Sequence, residues 1–120
     1  MHARRYFYKA LESDQGRMGP ALVLIARLYR VEEAASSMTS EMRLALRQQY
    51  SRKVLSSLRS YLEQIRAEVL PKSPAAAAVR YTLNQWEALC RYTTDGDLLI
   101  DNGGVVRPNR SFAIGRNNWP

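Results

Sequence analysis

LALRQQYSRKVLSSLRSYLEQIRAEV, residues 44–69, carries Leu44, Leu46, Tyr50, Leu55, Leu58, Leu62, Ile65 and Val69 at helical spacing, with no Gly or Pro in the whole stretch. Apolar residues recurring three and four apart put one stripe on one face of a helix, which needs a partner surface to bury it. The spacing therefore predicts a long amphipathic helix, with a bend near Ser51. Upstream, Ser36, Ser37, Thr39 and Ser40 make a polar break; Thr39 can cap the helix, and Glu41 falls in its first turn, where negative charge suits the macrodipole. Downstream, Pro71-Lys72-Ser73-Pro74 stops it, and Ser73 with Pro74 is a good cap and first-position pair for another helix.

That next helix carries Ala75, Val79, Leu83, Trp86, Leu89 and Cys90 on one side and is expected to end near Thr94. Towards the N-terminus, Phe7, Ala10 and Leu11 mark a short helix from Arg4 to about Ser13, which Gly16 and Gly19 interrupt. Pro20 is then expected to open a helix reaching Ala35, with Ala21, Leu22, Ile25, Leu28 and Tyr29 as its buried stripe. Asp95-Gly96-Asp97 reads as a turn, and Leu98-Leu99-Ile100 as a short strand. Gly103, Gly104 and Pro108 disfavour helix in the remainder of the chain. The expected architecture is mainly α: four or five helices, one short strand and an irregular C-terminal tail. Residues 1–101 form the helical part, and 102–120 the tail.

A chain of 120 residues with 46% apolar and 24% charged residues has the material for one domain with a core. Its net charge of +7 is uneven. Arg4, Arg5 and Lys9 stand in the first ten residues, and Arg107, Arg110 and Arg116 in the last nineteen, with no acid in either stretch. The centre is close to neutral. Arginine excess at the ends is the pattern that phosphate neutralisation produces, so DNA is a partner to consider beside a solvated basic surface. Cys90 is the lone cysteine, which excludes an internal disulfide and fits a reducing, cytosolic setting. The longest apolar run, Ala21–Ala26, is too short to span a bilayer, and nothing near the start reads as a secretory signal. No small-molecule substrate is evident.

The segments Leu-Pro-Lys-Ser-Pro at 70–74, Arg80-Tyr81, Leu83-Asn84-Gln85-Trp86-Glu87-Ala88-Leu89, Asp95-Gly96, Ile100-Asp101-Asn102 and Gly115-Arg116-Asn117-Asn118-Trp119 share one register. In order and spacing they resemble the C-terminal part of transposases of the insertion sequence 66 family. His2-Ala3-Arg4-Arg5 and Leu44-Ala45-Leu46-Arg47-Gln48 resemble that family too. The resemblance implies a helical segment attached to a ribonuclease-H-like sheet, on which two aspartates and a glutamate hold two Mg²⁺ ions. Such ions prefer carboxylate oxygens and clamp both oxygens of a phosphoryl transfer.

The same register puts Val106 where the family has its glutamate, with Arg107 next to it. Valine offers no ligand atom. Gly103, Pro108, Ser111 and Asn117 also depart from the family pattern. The two aspartates would precede His2, so the expectation is a truncated transposase without catalytic residues, metal ligands or a cofactor of its own. Without the sheet it should expose apolar surface and be marginal or self-associating. The alternative is a basic helical module that binds DNA or a full-length transposase without catalysis. Arg107, Arg110, Arg116 and Trp119 are the nucleic-acid-binding candidates. Asp95, Asp97 and Asp101 lie close together in sequence, but a turn explains them more simply than a metal site. His2, the single histidine, gives a zinc site or a general base almost no material. Trp86 is expected in the core, and Asn84 and Gln85 in buried hydrogen bonds.

Overall fold

The computed structural model describes residues 1–102. The chain forms α1 (His2–Leu11), α2 (Gln15–Ala34), α3 (Ser40–Leu46), a π-helical turn (Arg47–Ser51), α4 (Arg52–Arg66), α5 (Pro74–Asn84) and α6 (Trp86–Cys90). Two 3-10 turns follow among the described residues, Arg91–Thr94 and Ile100–Asn102. The bend expected near Ser51 is the π turn, where the backbone widens without leaving the helical path.

α1, α2, α4 and α5 bury stripes at the marked spacing, but Leu44 and Leu46 are only half-buried and Tyr50 is exposed, because Arg43, Arg47 and Ser51 take the inward face there. Ala3, Phe7 and Ala10 of α1, Met18, Ala21 and Ile25 of α2, Leu58, Leu62 and Ile65 of α4, and Ala75, Ala78 and Val79 of α5 form one core cluster together with Leu89. The alanines of α5 allow close approach, and α1 packs along that helix and against α2, which in turn packs on α4. A second cluster gathers Leu28, Leu55, Tyr92, Leu98 and Ile100. Tyr29 and Trp86 are half-buried against both. Caps hold two of the helix starts: the Met42 amide donates to Thr39 Oγ1 at 3.2 Å, and the Ala76 amide to Ser73 Oγ at 3.1 Å.

Other expectations change as well. Pro20 lies inside α2 instead of opening it, and Gly16 and Gly19, expected to interrupt, are helical residues of its first turns. A proline there deprives the Gly16 carbonyl of its helical donor, but both residues are exposed and water can serve that carbonyl. The helix expected over 73–94 breaks at Gln85, whose backbone has φ −100° and ψ 14°. Just before the break, Thr82 Oγ1 donates back to the Ala78 carbonyl at 2.8 Å, a bond that tends to bend helices. Asn84 and Gln85 are consequently exposed at this corner, not buried.

The expected strand does not form among the described residues. Leu98, Leu99 and Ile100 are all buried, whereas a half-buried strand would alternate. The Leu98 amide instead donates to the Asp95 carbonyl at 3.2 Å, closing a turn. Of the expected apolar exposure, Tyr6, Tyr8, Val23, Met42, Tyr50 and Leu70 are the large exposed side chains.

Candidate functional site

The buried stripe of α4 runs through Leu55, Leu58, Leu62 and Ile65, and counting backwards from Leu55 by fours reaches Ser51, Arg47 and Arg43, all buried as well. Two arginines therefore occupy a core face. On α2 the stripe Ala21, Ile25, Leu28 ends at Glu32, also buried. Arg47 and Glu32 meet there: Nε donates to Oε2 at 3.0 Å and Nη2 to Oε1 at 2.5 Å, the two-pronged geometry that guanidinium and carboxylate favour. Nη1 of Arg47 donates to the carbonyls of Tyr92 (2.9 Å) and Asp95 (3.0 Å), and the guanidinium lies 4.9 Å from the centre of the Tyr92 ring.

Arg43 continues the clamp one turn earlier. It donates to the carbonyls of Ala35 (3.2 Å), Met38 (2.8 Å) and Gly96 (2.9 Å). The two arginines thus grip the backbone from Tyr92 to Gly96 and fix where the chain enters Ile100-Asp101-Asn102. Gly96 is held so closely that a Cβ there would lie 2.0 Å from the Ser40 carbonyl oxygen. The Tyr92 hydroxyl is pushed above its ordinary pKa by burial and by the charge of Glu32. It faces the buried Ser51 hydroxyl, although the pair falls short of good hydrogen-bond geometry.

At the head of α1, Arg4 stacks over the Tyr29 ring at 4.0 Å, and the Tyr29 hydroxyl donates to Asp101 Oδ1 at 2.5 Å. The Met1 amino group also contacts Asp101 and donates to the Tyr29 hydroxyl at 2.5 Å. Partial burial opposes ionisation of Asp101, but the hydrogen bonds from the Met1 amino group and Tyr29 outweigh it, so the carboxyl titrates below its ordinary value. Burial, reinforced by Asp101, raises the Tyr29 hydroxyl. Met1, His2, Arg4, Arg5, Tyr8 and Asp101 line an open cleft of about 490 Å³.

The aspartates near the end of the helical part do not converge. Asp95 and Asp97 are exposed, the Asp97 amide donating to Asp95 Oδ1 at 2.9 Å within the expected turn, while Asp101 faces Tyr29. Among the described residues no group of three or more His, Cys, Asp or Glu could hold a metal ion. Trp86 is half-buried between the two clusters, with Arg59 at 5.7 Å from its ring centre. The half-buried Cys90 thiol is raised to about 11 by desolvation. Arg107, Arg110, Arg116, Trp119 and Val106 lie outside the described residues. Sequence reasoning missed Arg43, Arg47 and Glu32, whose one signal was a charged residue at a stripe position. Among the described residues no helix is long and apolar enough to cross a membrane.

The family model described as "Transposase IS66 family" matches residues 1–120. Among curated proteins of Sinorhizobium fredii (strain NBRC 101917 / NGR234), the chain is 29% identical to "Uncharacterized protein y4hP" over 131 residues and 34% identical to "Uncharacterized protein y4qI" over 118. It is 29% identical to "Uncharacterized protein y4jD" over 118 residues. Each match covers 98% of this chain but only 24%, 22% and 23% of the respective relative, so the chain spans about a quarter of their length. No solved structure matches.

Proposed function

The chain belongs to the IS66 family of transposases, and we propose that it takes part in DNA transposition as a helical segment without catalytic activity of its own. The observation that carries this reading is the state of Asp101. This carboxylate of the Ile-Asp-Asn motif is committed to Tyr29 and stands apart from Asp95 and Asp97. Val106, at the position where the family resemblance implies a glutamate, supports the same reading from the sequence. The described residues do not fit a pair of Mg²⁺ ions, because such ions need several carboxylate oxygens converging on one point. We further propose that in a transposase this segment accompanies a ribonuclease-H-like sheet, and the lone Cys90 and the family fit a cytosolic setting.

Incubation of the purified chain with supercoiled plasmid and Mg²⁺ or Mn²⁺ tests this directly. The expected result is no nicking above the protein-free control. Nicking that EDTA stops and Asp101→Asn abolishes would overturn the proposal. A second reading, a module that contacts DNA through Arg107, Arg110, Arg116 and Trp119 or pairs with a full-length transposase, is favoured by the +7 charge and its concentration near the ends.

A further inference from the structure

The exposed side of α1 is basic throughout. It bears His2, Arg5 and Lys9 three and four residues apart, and Arg4 with Tyr8 on the adjoining row, with no acid from Met1 to Leu11. Among the described residues neither Arg5 nor Lys9 has an ion-pair partner. On α2 and α4 the cations are mixed: Arg17 is paired to Asp14 and Glu68, and Arg59 and Arg66 to Glu63, while Arg27, Arg30, Arg52 and Lys53 have no ion pair among the described residues and line no cleft.

Arg4 and Arg5, though not Lys9, also line a shaped space. The cleft of about 490 Å³ has Arg4, Arg5 and His2 on its walls, and its one acid, Asp101, is already bonded by Tyr29. Arg4 is preorganised, its guanidinium stacked 4.0 Å from the Tyr29 ring centre. Tyr8 also lines the cleft and is 60% exposed, a large aromatic face left to solvent. A neighbouring aromatic is already used: Tyr6 stacks on Tyr81 with ring centres 4.5 Å apart.

From these observations we propose that the cleft at the head of α1 is a contact site for an unpaired DNA strand. Arg4 and Arg5 on the cleft wall, and Lys9 one turn further along the exposed side of α1, face its phosphates, and Tyr8 provides the surface on which one base stacks. A cationic groove with an open aromatic is the arrangement that holds single strands without reading their sequence. A duplex keeps its bases stacked on one another and has no use for the Tyr8 ring. The choice of DNA rests on the transposition reading above, but plasmid nicking tests that reading and strand binding tests this one, so the two can fail separately.

The experiment is fluorescence anisotropy of a dye-labelled, mixed-sequence, single-stranded oligodeoxynucleotide titrated with the full chain at several salt concentrations. Four variants are compared: Tyr8→Ala, Tyr8→Phe, the double variant Arg5→Gln/Lys9→Gln, and the control Arg52→Gln/Lys53→Gln on the exposed start of α4. Loss of one stacked base should weaken binding about tenfold in Tyr8→Ala, while Tyr8→Phe stays near the parent. Removing two phosphate contacts should reduce the salt slope by about 1.4 in the α1 double variant. The control loses the same charge and should keep its slope. All altered side chains are exposed, so the helical circular dichroism should not change. No binding at low salt, equal affinity of Tyr8→Ala and Tyr8→Phe, an equal slope change in the control, or tighter binding of a duplex of the same length would each overturn the assignment.

Discussion

Replacing Arg47 by methionine keeps much of the buried stem and removes the guanidinium, and with it four hydrogen bonds: two to Glu32, one to the Tyr92 carbonyl and one to the Asp95 carbonyl. Glu32, 8% exposed, would be left as a buried carboxylate without a partner. Breaking a buried pair from one side costs about 4 kcal/mol. The Tyr92 carbonyl, orphaned in the core, adds about 1 kcal/mol, whereas the Asp95 carbonyl belongs to an exposed residue and can turn to water. A total loss of about 5 kcal/mol is comparable to the whole stability of many single domains. In urea, with a slope of about 2 kcal/mol per molar, the midpoint should fall by about 2.5 M. Glu32→Leu made together with Arg47→Met removes the stranded carboxylate, so the double variant should be more stable than the single one and lose only about 1–2 kcal/mol. Circular dichroism in urea gives both numbers, and hydrogen exchange at 95–100 shows whether the gripped segment loosens first. A single variant that loses less than about 1 kcal/mol, or a double variant weaker than the single, would refute the clamp as the source of stability.

Two further outcomes are expected from the geometry of the same end of the molecule. Gly96→Ala sets a Cβ against the Ser40 carbonyl at 2.0 Å, backbone against backbone, so the turn or α3 must shift, at a cost of about 1–3 kcal/mol; an unchanged melting temperature would contradict the close approach. Asp101 has a folded pKa below its unfolded reference of 3.8, so its contribution is fully present above that value and is lost as the pH falls through the folded one. Stability measured by urea titration from about pH 6 to about pH 2.5 should therefore show an acid limb that Asp101→Asn flattens and Tyr29→Phe reduces; the same limb in all three proteins would remove Asp101 as its cause.

Where burial follows apolar spacing, the helices were legible: the stripes of α1, α2, α4 and α5 are the ones the sequence marks, and Thr39 and Ser73 cap as their positions suggest. Punctuation was less informative than it looked. Pro20 is tolerated because the carbonyl it orphans is at the surface, a fact about exposure that no local pattern contains. The break at Gln85 has no Gly or Pro to announce it. Leu98-Leu99-Ile100 resembles a strand in composition, yet all three are buried, Leu98 and Ile100 in the second cluster, and the Leu98 amide closes a turn on the Asp95 carbonyl. The charge of α1 was visible in the first ten residues, but its cleft was not. That space depends on Tyr29 and Asp101, 72 positions apart, meeting beside Arg4. The tail candidates Arg107, Arg110, Arg116 and Trp119 were legible only as charge and resemblance.

The π turn and the arginine clamp explain each other. In an α-helix of 3.6 residues per turn, each step of four residues overshoots one turn by about 40°. Counting backwards from Leu55 through Ser51 and Arg47 to Arg43 would then carry the last side chain well round towards solvent. A wider turn at Arg47–Ser51 absorbs part of that drift, and Arg43, Arg47 and Ser51 all remain buried on the face that begins at Leu55. The departure from regular helix is thus the condition for two guanidinium groups to reach inward, one to Glu32 and the carbonyls of Tyr92 and Asp95, the other to the carbonyl of Gly96. Those carbonyls precede Ile100 and Asp101 by only a few residues, so their grip limits where Asp101 can lie. Asp101 in turn bonds Tyr29 below Arg4, and the position of α1's cationic row over the cleft is tied through this chain of contacts to a turn halfway along the sequence.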